Sequence, residues 1–250
     1  MNEEARGRLI LALDVGGDIG EALEWTGRLK DHVGMFKIGK EAFTSFGPDI
    51  VRRVGEKGGK VFLDLKFHDI PNTVARAAEA ATKLGVSMFN VHALGGRKMM
   101  EEAVRSAGDA SRRFGLPMPV VLAVTVLTSL GDDDMADMGF SESSARRVAV
   151  RLARLAKDSG VSGVVASARE VPAIREACGA DFIIVTPGIR VENSVAGDDQ
   201  KRVLTPEEAV RGGADFLVVG RPITAAVDPV AAADEMVRAI ARGMAHRAKS

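Results

Sequence analysis

Apolar residues along the chain come in short runs, and each run precedes a longer stretch with apolar residues at helical spacing. Runs such as LILALDV and PVVLAVTVL are rich in residues that favour β-strands. Several helical stretches, such as SARRVAVRLARLAKDSG, end with a basic residue and then Gly, which favours a helix end. The eight predicted strands are 9–15, 35–39, 60–66, 87–93, 119–127, 161–167, 181–187 and 215–220.

The repeated alternation of strand and helix predicts an α/β fold. Eight repeats in 250 residues are typical of a (β/α)8 barrel, the TIM barrel. A doubly wound open sheet is the alternative, because strand order cannot be read from one sequence. We find no linker and no low-complexity segment, so we expect residues 1–250 to form a single domain.

Composition narrows the classes of partner. Lys+Arg and Asp+Glu are balanced at 34 each, so nothing in the net charge calls for nucleic acid or an anionic membrane. The acidic N-terminus lacks the apolar core of a signal peptide, and no run approaches the roughly 18 to 20 apolar residues of a membrane span. The single cysteine, Cys178, excludes an intramolecular disulfide and a cysteine-based zinc cluster. We expect a soluble, cytoplasmic protein.

Polar residues concentrate at the carboxyl-terminal ends of the predicted strands or in the loops just after them. In a (β/α)8 barrel these ends and loops carry the chemistry, whereas surface charge has no reason to collect there. The residues concerned are Asp14, Lys37, Asp64, Lys66, Asn90, His92, Thr128, Ser129, Arg190, Gly220 and Arg221.

The stretch DLKFHDIPNT places Asp64, Lys66 and Asp69 within six positions. Alternate strand residues share a face, so Asp64 and Lys66 are expected to point into the barrel mouth. Asp14 and Lys37 on neighbouring strands would extend them into an alternating array of carboxylates and ammonium groups. The plainer interpretation is a surface salt bridge, worth about 0–1 kcal/mol.

An ordered set of motifs resembles the orotidine 5′-phosphate decarboxylase family of bacterial type and covers essentially the whole chain. The resemblance implies cofactor-independent decarboxylation of orotidine 5′-monophosphate to UMP and CO₂ in pyrimidine biosynthesis. It also implies a homodimer with active sites at the interface. One departure is GDDQ, where many members have a single Asp, which affects the alignment of Gln200. The motifs are FKIGKEAFTSFGP, DLKFHDIPNT, NVHALGG, AVTVLTS, VTPGIR, GDDQKR and VGRPIT.

The resemblance assigns roles to individual residues. It makes Lys66 the general acid that protonates C6 as CO₂ leaves, with Asp64, Asp69 and Lys37 completing a catalytic tetrad. In the family, the residue that matches Asp69 comes from the second subunit. Asp14 would contact the ribose, Ile70 and Thr73 would reach across the interface, and Ser129, beside Thr128, would bind the pyrimidine edge. The implied substrate contacts are Asp14, Lys37, Asp64, Ile70, Thr73, Thr128, Ser129, Arg190, Gln200, Gly220 and Arg221.

The phosphate site has an argument of its own. Barrels commonly bind phosphate with the loops after strands 7 and 8, which here carry TPGIR and VGRPIT. Arg221 offers a guanidinium fork, and Gly220 lets the backbone come close to the phosphate oxygens. By resemblance Arg190 and Gln200 join them, and the polar loop at about 190–200 between them is expected to be a mobile lid.

Three other functions remain open at this stage. A magnesium-dependent sugar-phosphate enzyme of the same superfamily would need metal, and a Schiff-base aldolase using Lys66 would form an adduct that borohydride traps. A nucleotide-binding barrel without turnover is the third. We assign no metal, and we interpret the consecutive acids Asp132, Asp133 and Asp134 as a solvated loop. His68 is expected to be a structural loop residue and Lys40 to be non-catalytic, whereas Asn90 and His92 are expected to support the site or to lie at the interface.

Overall fold

The computed structural model describes residues 2–14, 16–142, 144–189 and 204–247. Each of the eight predicted strands is present as a strand. Their bounds are β1 Leu9–Leu13, β2 Met35–Gly39, β3 Val61–Phe67, β4 Met88–His92, β5 Val120–Val124, β6 Gly163–Val165, β7 Ile183–Pro187 and β8 Phe216–Val219.

Helices connect the strands, and a 3₁₀ turn, Ala93–Gly95, follows β4. Several helices begin at a side-chain cap, as when the Thr205 hydroxyl accepts the Glu208 N–H in a capping box. The helix bounds are α1 Glu3–Gly7, α2 Ile19–Leu29, α3 Lys40–Phe46, α4 Asp49–Glu56, α5 Pro71–Lys83, α6 Gly96–Phe114, α7 Asp132–Asp137, α8 Ala145–Asp158, α9 Val171–Cys178, α10 Pro206–Arg211, α11 Arg221–Thr224 and α12 Pro229–Arg247.

The strands form a closed parallel barrel in the order β1 to β8. Closure is visible in the pairing of the first and last strands, where Leu9 lies opposite Leu217 and Leu11 opposite Val219. An open doubly wound sheet leaves its outermost strands without such a pairing. The predicted (β/α)8 barrel is therefore confirmed, and the open-sheet alternative is wrong.

The chain also divides into two compact units, one of Met1–Asp64 with Thr186–Ser250 and the other of Leu65–Val185. The boundary falls inside β3, directly after Asp64, and inside β7, directly before Thr186. That the chain behaves as one domain remains a prediction. The predicted lid at about 190–200 lies outside the described residues.

Both units have continuous apolar strands at their centre. Every residue of β1 is buried in the first unit, as are Phe36 and Phe62. In the second unit Phe89 and Val121 are fully buried. Strands covered on both faces need no polar alternation, which is why the strands were legible as plain apolar runs. No helix among the described residues has the length and apolar character needed to span a membrane.

Strands β5 and β6 are shorter than predicted, at five and three residues. After β5 the chain stays buried through Val126 and then turns, where the Leu130 N–H bonds the Leu127 carbonyl at 2.9 Å. At the start of β6, Gly163 lies against β7 so closely that a Cβ would sit 2.2 Å from the Ile183 carbonyl oxygen. Hydrophobicity predicted the positions of these two strands correctly, but the predicted strands extended beyond the observed ends.

Candidate functional site

Three side chains at the ends of β1, β2 and β3 form a chain of ion pairs in the first unit. The Lys37 Nζ lies 3.1 Å from Asp14 Oδ1 and 3.5 Å from Asp64 Oδ2. The strand register explains this meeting, since Lys37 is opposite Ala12 on one side and Phe62 on the other. Asp14 and Asp64 each lie two residues further along, so a period of two places all three groups on one face.

The two ion pairs differ in their exposure to water. The Lys37 and Asp64 side chains are each 13% exposed, whereas the Asp14 side chain is 61% exposed. Salt and water therefore screen the Lys37–Asp64 pair much less than the Lys37–Asp14 pair. The inner pair gives this end of the unit a fixed ammonium group, and the outer carboxylate remains accessible to a ligand.

Gly39 leaves space for the Lys37 ammonium group, and Gly220 lies next to Asp14. A Cβ at Gly39 would sit 3.0 Å from Lys37 Nζ, which is tighter than ordinary contact. A Cβ at Gly220 would sit 3.5 Å from the Ala12 Cβ and 3.9 Å from Asp14 Oδ2. Gly220, predicted to bind phosphate, thus lies beside Asp14, predicted to bind ribose, and Arg221 begins α11 directly after it.

Lys66 lies near the end of β3, in the second unit, with a backbone that departs from the strand. Its φ is 53°, in the left-handed region, and its N–H donates to the Asn90 Oδ1 at 2.8 Å. The expectation that Asp64 and Lys66 share a face assumed extended backbone through both residues. That assumption fails at Lys66, so simple alternation does not set the direction of its side chain.

The segment that follows Lys66 is exposed. Asp69, Ile70 and Thr73 are all exposed, and Ile70 reaches 67%, which is high for a large apolar residue. The Asp69 Oδ1 accepts the N–H of Ile70 at 2.7 Å, and Pro71 opens α5. A hydrogen-bonded turn followed by proline therefore presents these three side chains outward from the second unit.

His68 and His92 form a stacked pair in the second unit. Their ring centroids are 5.3 Å apart and the ring planes differ by 19°. The stack joins the loop after β3 to the end of β4, and close packing continues at Gly95, where a Cβ would lie 3.3 Å from the His68 Cδ2. This contact agrees with a structural role for His68 in its loop, and nothing in the sequence indicated that its ring would meet that of His92.

The remaining predicted site residues fall into two groups. Thr128 and Ser129 are exposed in the turn after β5, where a ligand can reach their hydroxyls. Arg190 and Gln200 lie outside the described residues.

The consecutive acids Asp132, Asp133 and Asp134 form the first turn of α7, so their interpretation as a loop was wrong. Asp134 Oδ2 accepts the Gly131 N–H at 2.7 Å, and Asp132 Oδ1 accepts the Ala145 N–H at 2.9 Å. Both carboxylates therefore satisfy backbone donors at helix starts. Within the described ranges, no group of three or more His, Cys, Asp or Glu side chains is placed to hold a metal ion.

A cleft of about 350 Å³ lies between α10 and α12 in the first unit. Three of its charged groups have partners within the cleft wall, since the Arg242 Nε donates to Glu207 at 2.7 Å and Glu208 closes the capping box with Thr205. We assign the cleft no role in the proposed chemistry.

Glu170, in the turn after β6, is a buried carboxyl group that sequence reasoning missed. It is 8% exposed, and its Oε2 accepts the Ser167 N–H at 3.0 Å. Burial raises the pKa of the Glu170 carboxyl to about 7, and the Ser167 N–H and nearby Arg169 oppose that rise. The only sequence signal was a Glu just after a predicted strand, which does not distinguish a buried carboxyl from an exposed one.

The Glu170→Gln variant is expected to be more stable than the wild type at pH 8 and nearly equal to it below pH 4.5. The folded-state pKa is raised from 4.5 to about 7, so the stabilising proton is held at low pH and lost as the pH rises through about 7. Glutamine is uncharged throughout and keeps an oxygen for Ser167. Urea unfolding at several pH values should show a difference in unfolding free energy that grows to at most about 3 kcal/mol. A difference that stays constant with pH would contradict this account.

Comparisons with known proteins agree on one family. The family model described as Orotidine 5'-phosphate decarboxylase / HUMPS family matches residues 7–236. The chain is 62% identical over 246 residues to the orotidine 5'-phosphate decarboxylase of Syntrophus aciditrophicus (strain SB), covering 98% of each chain. It is 53% identical to that of Pelobacter propionicus over 241 residues, covering 96% of this chain and 98% of the relative. The crystal structure of orotidine 5'-phosphate decarboxylase from Lactobacillus acidophilus superposes with a TM-score of 0.81 at 38% identity, covering 93% of this chain and 98% of that one.

Proposed function

The chain belongs to the Orotidine 5'-phosphate decarboxylase / HUMPS family, and we propose that it decarboxylates orotidine 5′-monophosphate to UMP and CO₂ without a cofactor. The observation that carries this choice is the Lys37 ammonium between Asp14 and Asp64. A magnesium-dependent sugar-phosphate enzyme that used these two carboxylates would need the same position for its cation. Lysine fills that position with a permanent part of the chain.

The reaction breaks the bond between C6 of the pyrimidine and the substrate carboxylate. CO₂ leaves, and the bonding electron pair remains on C6 as a carbanion with no adjacent electron sink. A fixed cation beside C6 stabilises this charge as it develops. The Lys66 ammonium is that cation, and it then gives its proton to C6, so that UMP forms and the amine regains a proton from solvent.

Carboxylates lie next to both lysines, either in space or in sequence. Asp64 pairs with Lys37 at 3.5 Å, and Asp64 and Asp69 flank Lys66 in sequence. The ammonium form of lysine is the form that can stabilise a carbanion and donate a proton. This requirement also weighs against a Schiff-base aldolase, whose lysine must be neutral to attack a carbonyl group.

The rest of the substrate is held away from C6. Asp14 contacts the ribose, Thr128 and Ser129 the pyrimidine edge, and Gly220 and Arg221 the phosphate, together with Arg190 and Gln200. Contacts to the phosphate can lower the barrier at C6 when they are stronger in the transition state than in the ground state.

The active enzyme is a homodimer in the cytoplasm, and each chain is a single domain. Support for the dimer comes from the outward-facing Asp69, Ile70 and Thr73, of which Ile70 is an apolar side chain 67% exposed in the isolated chain. A partner subunit that covered Ile70 would remove this apolar side chain from water. In the dimer these three side chains complete the partner's site.

The direct test is an assay of purified, EDTA-treated protein with orotidine 5′-monophosphate. Loss of the substrate's ultraviolet absorbance, with UMP as product, is the expected result. Activity that required added magnesium, or turnover of sugar phosphates instead, would favour the metal-dependent alternative. A borohydride-trapped substrate adduct would point to an aldolase, and tight 6-azauridine monophosphate binding without turnover would point to a nucleotide-binding protein.

Shared sites make a prediction about mixed variants. Asp69→Ala and Lys66→Ala should each be nearly inactive alone, and a mixture that exchanges subunits should regain activity. Each mixed dimer has one site with both residues intact, so an equal mixture should approach about one quarter of wild-type activity. Verified exchange of subunits without recovery would mean that Asp69 serves its own chain.

A further inference from the structure

Lys66 adopts a backbone conformation that its side chain disfavours. Among the described residues it is the only non-glycine with a positive φ, at 53°, and the ten others are all glycines. In the left-handed region a Cβ crowds the following carbonyl oxygen. Such a conformation persists only where the surrounding structure holds it, and residues of this kind cluster at functional sites.

The side chain of Asn90 contacts the backbone of Lys66. Its Oδ1 accepts the Lys66 N–H at 2.8 Å, and the residue is 0% exposed. Its neighbours in β4, Phe89 and Val91, are also 0% exposed. Because packing fixes this strand, the amide oxygen is a fixed acceptor, and the peptide before Lys66 must turn its N–H toward it.

Packing of the next residue reinforces the same geometry. The Phe67 ring lies 6.1 Å from the Phe89 ring, centroid to centroid, at an angle of 52°. Two consecutive residues of β4 thus contact two consecutive residues of β3, Asn90 through a hydrogen bond and Phe89 through its ring. The backbone around Lys66 is held by a polar contact and an apolar one.

We propose that Asn90 is a positioning residue for Lys66, and that its amide oxygen holds the Lys66 backbone in the left-handed conformation that aims the ammonium group. This inference rests on the proposed function, in which the Lys66 ammonium donates a proton to C6. A proton donor displaced by about 1 Å loses much of its effect, so a hydrogen bond to its backbone bears on the rate.

The chemistry of asparagine suits this task. Alanine or valine would offer no acceptor, and serine would be too short to reach the same N–H. Aspartate has an acceptor oxygen at the same reach in either protonation state. Aspartate is therefore the conservative substitution at position 90, and alanine is the disruptive one.

Asn90→Ala should lower kcat for orotidine 5′-monophosphate decarboxylation by about 10²-fold. KM should change less than about threefold, because Lys66 acts at the transition state rather than in holding the substrate. Asn90→Asp should recover much of the lost kcat. In a Lys66→Ala background, Asn90→Ala should lower kcat no further, because the group that it positions is gone.

Thr82→Val is the matched control. Thr82 is 1% exposed in α5 of the same unit, and its hydroxyl donates to the Ala78 carbonyl at 2.8 Å. Losing this buried hydrogen bond should lower the melting temperature and leave kcat unchanged. If Asn90→Ala left kcat at the wild-type value in a folded protein, or lowered kcat equally with and without Lys66, the positioning role would be wrong.

A second measurement does not depend on activity. Glycine tolerates a left-handed backbone better than alanine does, so Lys66→Gly should melt at or above Lys66→Ala, the reverse of the order at an ordinary strand position. A crystal structure of Asn90→Ala should show residue 66 outside the left-handed region, and a φ still near 53° would overturn the proposal. If the wild type does not decarboxylate orotidine 5′-monophosphate, the proposed function is wrong. These two measurements would still test how the backbone at residue 66 is restrained.

Discussion

Lys66→Ala is expected to lower kcat/KM for orotidine 5′-monophosphate by about 10⁴-fold or more. The variant loses two contributions together, a fixed cation worth about 10²- to 10³-fold and a proton donor worth about 10²- to 10⁴-fold. The two are not fully additive, because one ammonium group supplies both. The measurement is the initial rate of absorbance loss at substrate concentrations well below KM.

Lys40→Ala is the control for that loss. Lys40 has the same side chain three residues after Lys37, but it is exposed at the start of α3. Its removal should change kcat/KM by less than about twofold, since an exposed charge contributes little. Circular dichroism must show that both variants are folded. A folded Lys66→Ala variant with near-normal kcat/KM would remove Lys66 from the chemistry.

The barrel was predictable because its strands are covered on both faces. Burial on both sides leaves runs such as LILAL with no polar positions, and the intervening stretches have helical spacing. Closure of the barrel was not predictable in this way. The pairing of Leu9 with Leu217 joins residues at opposite ends of the chain, and no local pattern encodes such a pairing. An open sheet would produce the same local signals.

The chain of ion pairs formed by Asp14, Lys37 and Asp64 was predictable for a related reason. Lys37 breaks the apolar run MFKIG, and a charge there has to face the barrel mouth or incur a large desolvation cost. Period two then aligns Lys37 with Asp14 and Asp64, whose carboxylates lie 3.1 and 3.5 Å from its Nζ. In a regular strand, alternate residues point to opposite faces, so the direction of a side chain follows from its position.

The backbone conformation of Lys66 was not predictable from strand periodicity. A glycine in the sequence usually indicates a left-handed backbone conformation, whereas here this conformation occurs at a lysine. It is tied to a hydrogen bond that the Lys66 N–H donates to the Oδ1 of Asn90, 24 residues further along the chain. The burial of Glu170 is of the same kind, since its surroundings and not its sequence neighbours raise its pKa to about 7. Both features arise from tertiary contacts.

Lys37→Ala is expected to lower kcat/KM by about 10³-fold. The Lys37 ammonium lies 3.1 Å from Asp14 and 3.5 Å from Asp64, so its loss leaves two carboxylates facing a space with no lysine between them. In the proposed function Asp14 holds the ribose, so repulsion between the two carboxylates should disturb substrate binding. Lys37→Arg should not restore activity, because a planar guanidinium group is wider than the ammonium in a position only 13% exposed.

Magnesium distinguishes this explanation from a general loss of structure. Two carboxylates with no ammonium between them suit a hard cation, which binds one or two carboxylates and retains several waters. Magnesium chloride should therefore raise the melting temperature of Lys37→Ala more than that of the wild type, with sodium chloride at equal ionic strength as the control. Equal shifts in the two proteins would indicate that Lys37 does not occupy a cation position. A selective shift without recovered decarboxylation would show that this position holds charge, and that the chemistry needs that charge to be a lysine.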